Sequence, residues 1–224
     1  RPKAAFLTRW LPIQLLMPVI GFIMINQPAL NLIWQLWASS TNFNLILGKQ
    51  VFHYATIDST NDEARRLIAA GQAKEGAVIV ADTQTAGRGK PGSSWVSLPA
   101  VGLYLSAVVK PYKNQADLTA LTSVVAKAVV VFIKELTDQY ATIKLPNDVL
   151  INGKKVCGIL CEHLASGYVV IGIGLNVNHE QASFPPELAD KATSLKLASS
   201  QAYQLSSVQQ QLLTILDRHY LAYL

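Results

Sequence analysis

Two cysteines, two methionines and a charged fraction of only 15% are what this 224-residue chain has little of. So few thiols exclude a disulfide-stapled secreted scaffold and a cysteine-rich zinc fold. Cys157 and Cys161 stand four residues apart in a segment that reads as strand, a span of roughly 13 Å that no disulfide bridges. Sharing one strand face, they fit buried, small apolar side chains better than metal ligands. Nothing asks for an oxidising compartment, and a cytoplasmic protein is expected. Acid is absent from residues 1–50, which hold Arg1, Lys3, Arg9 and Lys49. Of the 19 Lys and Arg, 15 are left to face all 14 acids in residues 51–224. That near-neutral body carries no electrostatic footprint for nucleic acid.

A long clean hydrophobic run is missing too. From Leu11 to Ala38 the chain is almost wholly apolar and follows basic residues, the order of a signal peptide or anchor. Yet Pro12, Pro18 and Pro28 interrupt it, and Gln14, Asn26, Gln27 and Asn31 dilute it. Its longest uninterrupted stretch, Pro18 to Ile25, falls far short of the ~20 residues that span a bilayer. Residues 1–50 therefore leave three readings: a membrane hairpin or anchor, a packed apolar appendage, or sequence foreign to the rest. The first residue is Arg rather than Met, as in a processed or partial product. Neither a G-x-G-x-x-G turn nor a P-loop occurs, so a dinucleotide site and a kinase-type NTPase lack support. There is no fixed-period repeat and no low-complexity tract.

What is present is a succession of short strands and amphipathic helices. Val51–Thr56 reads as a strand, and Thr60-x-x-Glu63 as a capping box opening a helix that Gly71 ends. Gly76–Asp82 is apolar enough for a buried strand. Thr83 to Pro99 is a loop long enough to suggest function. Val101–Lys110 is a strand, Asp117 to Leu136 a helix, and Ala141–Leu145 a strand stopped by Pro146. Val149–Ile151 and Lys155–Leu164 flank Asn152-Gly153, the strongest short hairpin signal. Tyr168–Leu175 is a further strand, and a helix runs from about Tyr203 to the end. This pattern predicts an α+β fold with a mixed, largely antiparallel sheet and helices packed on one side.

Four segments concentrate residues able to do chemistry. Gln84 to Gly92 follows a buried strand, and its glycines free backbone N–H groups for an anion while Arg88 and Lys90 add cations. The same composition also suits a plain surface loop. Lys144-Leu-Pro146-Asn147-Asp148 ends a strand where Asn and Asp equally serve as turn formers. Lys155 alone would be a solvated edge lysine. Gly172 and Gly174, ahead of Asn176, imply that something approaches this strand closely.

Taken in order, these segments resemble the catalytic domain of the biotin–protein ligases. The shared pattern is Ser59-Thr60-Asn61, Gln84 to Lys90 with Trp95, Lys144 to Asp148, Lys155 to Glu162, and Gly172 to Asn176, supported by Leu103-Tyr104-Leu105-Ser106. The resemblance covers residues from about 51 to the end. It implies the sheet-and-helix fold shared with lipoate ligases and class II aminoacyl-tRNA synthetases. It further implies activation of biotin by ATP to biotinyl-5'-AMP, then transfer to a lysine of a biotin carboxyl carrier domain such as that of acetyl-CoA carboxylase. On this resemblance Ser59, Thr60, Asn61, Gln84, Gly87, Arg88, Gly89, Lys90 and Lys155 are biotin-binding positions. Lys90, Trp95, Asn147, Asp148 and Asn176 are ATP or phosphate positions, with Asp148 toward Mg²⁺. Lys155, Arg88 and Lys90 are expected to carry the catalysis, and the Thr83–Pro99 loop to act as a lid. A monomer or homodimer is expected, without a nucleic-acid partner.

Three departures stand out. Lys90 occupies the place of the family's second loop arginine, and Leu145 that of a tryptophan, which reads as a change of packing. The chain stops at Leu224 without the small C-terminal β domain that family members usually carry, so truncation or natural lack of it is expected. Residues 1–50 also lack the charge and helical pattern of a DNA-binding winged helix. A lipoate–protein ligase is the nearest rival, but its Arg-Arg-x-Ser-Gly-Gly-Gly stretch is absent. A non-catalytic biotin-binding regulator is the rival outside enzymes.

Overall fold

Apolar and β-branched runs of eight residues dictate the centre of the structure. The computed structural model describes residues 45–111 and 117–224, so the apolar stretch and its anchor reading lie outside the described residues. Seven strands form one sheet: β1 (Gln50–Ile57), β2 (Ala77–Gln84), β3 (Gly102–Val109), β4 (Ala141–Lys144), β5 (Asp148–Ile151), β6 (Lys154–His163) and β7 (Val169–Asn176). Their order across the sheet is β1-β2-β3-β7-β6-β5-β4. β1 and β2 run parallel, and the remaining neighbours are antiparallel. The mixed, largely antiparallel sheet is thus as expected. Asn152 and Gly153 both take positive φ, 50° and 76°, as the predicted tight hairpin requires.

Helices α1 (Thr60–Ala69), α2 (Leu118–Thr137), α3 (Leu195–Ser199) and α4 (Leu205–Tyr223) complete the described fold. They are not confined to one side. α2 and α4 cover the face carrying Val78, Val80, Leu105, Ile171 and Ile173, while α1 lies against Ala77, Ile79, Val108 and Val170 on the opposite face. The central strands alternate between two apolar sets because each set has a helix to meet. α1 is too short to cover its face, and the uncovered remainder is where the functional cleft forms. Among the described residues no helix is long and apolar enough to cross a membrane.

Two local expectations change. The cap of α1 is Ser59, whose hydroxyl accepts the Asp62 N–H at 3.5 Å, not Thr60. Glu63 instead accepts from the Tyr54 hydroxyl and from Arg66. Among the described residues, packing also reaches back before residue 51. Leu47 is buried, and the Ile46 and Leu47 N–H groups both donate to Oδ1 of Asp217 on α4, at 2.9 and 2.7 Å. Cys157 and Cys161 are free thiols on one face of β6, and burial pushes them up to about 12 and about 11.

Candidate active site

Strand alternation builds the floor of the site. Gly158, Gly172 and Gly174 fall on the α1 face of β6 and β7, where side chains would otherwise stand. A Cβ on Gly172 would come within 2.3 Å of Asn61 Oδ1, and one on Gly174 within 2.4 Å of the Trp95 ring. On Gly158 it would meet the same ring at 2.7 Å. The close approach expected at the β7 glycines is therefore made by α1 and by the loop after β2.

That loop is organised rather than open. Trp95 N–H donates to the Gly87 carbonyl at 2.9 Å, Gly89 N–H to Ser93 at 3.1 Å, and a turn closes at Lys90–Ser93. Gly87 was expected to line the pocket, but it lies behind it, buried, where a Cβ would strike the Trp95 carbonyl at 2.4 Å. Its role is to let the loop fold back and deliver Trp95 onto the floor.

Two cavities flank Trp95. The first, of about 180 Å³, is bounded by Ser59, Thr60, Asn61, Gln84, Arg88 and Gly89, with Lys90 at its edge. The second, of about 390 Å³, reaches Asn176, His179, Phe184 and the Asp190–Ala192 segment. Ser94, Trp95, Asp148 and Lys155 border both. Lys155 Nζ stands 2.8 Å from Asp148 Oδ1 and 5.3 Å from the Trp95 ring centroid, so a cation sits at the junction.

The end of the first cavity is a hydrogen-bond system. Gln84 Oε1 accepts from the Thr60 N–H at 2.9 Å and its hydroxyl at 3.2 Å, and Gln84 Nε2 donates to Ser97. Ser106, wholly buried, lies 2.8 Å from Thr60 Oγ1 and 2.5 Å from Asn61 Oδ1, with one proton for the two acceptors. Asn61 Nδ2 donates to Glu162 at 2.8 Å. Arg88 reaches across to Asp62 at 2.5 Å and Glu162 at 2.8 Å, and Arg65 also pairs with Glu162. Desolvation works against charge on Arg88, but these carboxylates outweigh it and raise its pKa. Lys90 is exposed and has no ion pair among the described residues.

The side chains behind Lys155 that are expected to position phosphates line the two cavities and also bond to the protein itself. Asn147 Nδ2 donates to the Ile159 carbonyl at 2.9 Å, leaving Oδ1 buried and unpartnered. An acceptor suits a cation or an N–H, not a phosphate oxygen. Asn176 Nδ2 donates to the Thr193 carbonyl at 3.0 Å, so it braces the far wall of the second cavity. Leu145 is 76% exposed, so its replacement of a tryptophan is a surface change rather than one of packing.

Sequence reasoning missed His179, Ser106 and the Asp62–Arg65 contribution. His179 is 2% exposed, and desolvation lowers its pKa to about 4, with the Val101 carbonyl opposing. A histidine neutral in the fold but protonated in the unfolded chain withdraws stability as pH falls from about 6.5 toward 4, by about 3 kcal/mol. Asp58, held near 2 by Arg66, gives up its contribution only below that window. Urea midpoints are expected to fall between pH 7.5 and 4.5 in the native protein, and less in His179→Phe. Identical pH dependence in the two would contradict the assignment.

A glycine-floored cleft, a basic loop folded over it and this sheet define the ligase branch of the class II aminoacyl-tRNA synthetase-like fold. The chain belongs to the biotin/lipoate A/B protein ligase family, which it matches over residues 53–178. It is 36% identical over 211 residues to the bifunctional ligase/repressor BirA of Bacillus subtilis, covering 91% of this chain and 63% of that protein. It is 33% identical over 151 residues to the biotin–[acetyl-CoA-carboxylase] ligase of Mycobacterium tuberculosis, covering 66% and 55%. Among solved structures it is similar to the Aquifex aeolicus biotin protein ligase in complex with biotin and ATP, with TM-score 0.69 and 32% identity. That likeness covers 78% of this chain and 72% of the other. The chain thus spans less than two thirds of the curated relatives' length.

Proposed function

We propose that the folded unit, from Leu45 onward, is the catalytic domain of a biotin–protein ligase. The observation that carries this reading is the shared border of the two cavities, where Lys155 stands between a polar hydrogen-bonding pocket and a larger, more apolar one. One cation there can meet the carboxylate of a ligand in the first cavity and the α-phosphate of a nucleotide in the second. Ser59, Thr60, Asn61 and Gln84 offer the donors and acceptors that a ureido ring needs, with Gly89 beside them. A ligand without that ring would bury this polar network without adding hydrogen bonds to it, and so would bind less well.

The reaction needs positioning and charge rather than a protein nucleophile. A biotin carboxylate oxygen attacks the α-phosphorus of ATP, and the bond to pyrophosphate breaks. Lys155, with Arg88 and Lys90 in the loop, offsets the negative charge that builds on the phosphoryl oxygens. A lysine amine of a biotin carboxyl carrier domain then attacks the acyl carbon, and AMP leaves. The loop carrying Trp95 excludes water from the mixed anhydride meanwhile. Asp148 and the unpartnered Asn147 Oδ1 are hard oxygen donors that fit Mg²⁺, which would neutralise phosphate charge. The cytoplasm, where carboxylases and ATP meet, suits this activity, as does a monomer or homodimer.

Thermal unfolding tests the ligand choice. Biotin with ATP is expected to raise the melting temperature strongly and lipoate with ATP to leave it nearly unchanged. A larger shift with lipoate would overturn the reading. ATP-dependent labelling of a carboxylase carrier domain by the purified chain tests the transfer step.

A further inference from the structure

His179 occupies a position that touches both loops around the second cavity. Its ring stacks on Phe184, with centroids 5.3 Å apart and planes 11° from parallel. Phe184 faces the cavity from the segment after β7. On the other side, His179 Nε2 lies 3.5 Å from the hydroxyl of Tyr104, which is wholly buried on β3. That hydroxyl accepts the Leu98 N–H at 2.9 Å and donates to the Leu98 carbonyl at 3.0 Å. Leu98 lies three residues beyond Trp95, at the base of the loop that covers the cleft. The His179 carbonyl accepts from the Ser194 hydroxyl at 2.7 Å, and Ser194 caps α3. Next to it, Asn178 N–H donates to Val101 at 2.7 Å, again at the end of the covering loop.

The proton count at Tyr104 bears on the tautomer of the ring. Tyr104 spends its one proton on Leu98 O and one lone pair on Leu98 N–H. With that proton on Leu98, the 3.5 Å contact is a hydrogen bond only in the neutral tautomer whose Nε2 carries the proton. Nδ1 is buried and without a hydrogen-bond partner. Leaving a buried acceptor unpaired is unfavourable, and such groups call for an explanation beyond packing.

We propose that His179 is a positioning residue for the nucleotide half of the reaction. It sets the separation between the loop that bears Trp95 and the wall that bears Phe184, and so the width of the second cavity. The biotin pocket lies on the other side of Trp95, touches neither His179 nor Phe184, and has its own tie to the loop in the Gln84–Ser97 hydrogen bond, which the His179 substitutions leave in place. This inference rests on the reading that the second cavity takes ATP.

Steady-state pyrophosphate release by the full chain tests it, with ATP varied at saturating biotin and biotin varied at saturating ATP. His179→Ala is expected to raise KM for ATP ~10-fold, the scale of one lost hydrogen bond together with the packing it holds. KM for biotin should change less than about twofold. His179→Gln keeps a neutral N–H donor for Tyr104 and should recover most of the loss. His179→Phe keeps the ring but not the donor, and should recover less. Parallel rises in both KM values, or an unchanged KM for ATP, would overturn the proposal. If His179→Ala does not fold, equal ATP KM values for the Gln and Phe variants would overturn it equally. A native protein that releases no pyrophosphate with biotin and ATP refutes the functional reading and this inference together. An active native protein without an ATP-selective change sinks the inference alone.

Discussion

Lys155→Ala is expected to lower biotin-dependent pyrophosphate release by ~100- to 1,000-fold, the usual cost of removing a charge aimed at the developing transition state. The geometry gives the expectation its basis. The ammonium is 2.8 Å from Asp148, lies over the Trp95 ring and borders both cavities. The fold should survive, because the Lys155–Asp148 pair is partly solvated and such pairs contribute little stability. The backbone of residue 155 also keeps its bonds, with N–H to Lys191 and its carbonyl accepting from Thr193. A second consequence follows from Asp148. Once its counter-ion is gone, that carboxylate repels the incoming carboxylate and triphosphate, so both binding and turnover should weaken. Near-normal pyrophosphate release would show that Lys155, which lies on the interior strand β6 and not on an edge, is only a partly solvated ion-pair lysine.

Much of this site was legible because its residues lie close together within motifs and their constraints are local. Gly172 and Gly174 advertise an approach to the strand, and Trp95 and Asn61 make it. Asn152-Gly153 dictates its turn whatever surrounds it. Alternation along β6 and β7 places the glycines on the open face without any knowledge of the partners. What stayed hidden depends on long-range pairing. Ser106 looks like any strand serine until α1 brings Thr60 and Asn61 over it, about 45 residues away in sequence. His179 follows a glycine-rich strand and carries no periodic signal. Its burial arises only when Tyr104 and Phe184 close on it. Gly87 illustrates an intermediate case. Its motif membership was plain, but whether it faced the ligand or the returning loop depended on a fold-back that composition does not encode. The placing of helices on one side failed for a related reason. Near-continuous apolar strands such as β2 and β3 are buried on both faces, and a second helical layer follows from that burial.

Lys90→Arg is expected to slow release of biotinyl-adenylate by roughly 10- to 150-fold, the equivalent of one charge-assisted hydrogen bond of about 1.5–3 kcal/mol. Lys90 lies at the edge of the first cavity, exposed and without an ion-pair partner among the described residues, so nothing competes for its charge. Its ammonium is a single flexible point contact, whereas a guanidinium presents two parallel donors in a fixed fork. Arg88 cannot make up the difference freely, because Asp62 and Glu162 already hold its two terminal nitrogens at 2.5 and 2.8 Å. To reach a phosphate it must first give up those carboxylates. The native protein should therefore let activated biotin escape, and escaped adenylate acylates nearby lysines without selection. Two measurements check this. Dissociation of trapped adenylate should be faster from the native protein than from Lys90→Arg, and biotin on a bystander protein should be greater. Equal off-rates with equal bystander labelling would show that Lys155 and Arg88 already supply all the charge the adenylate uses.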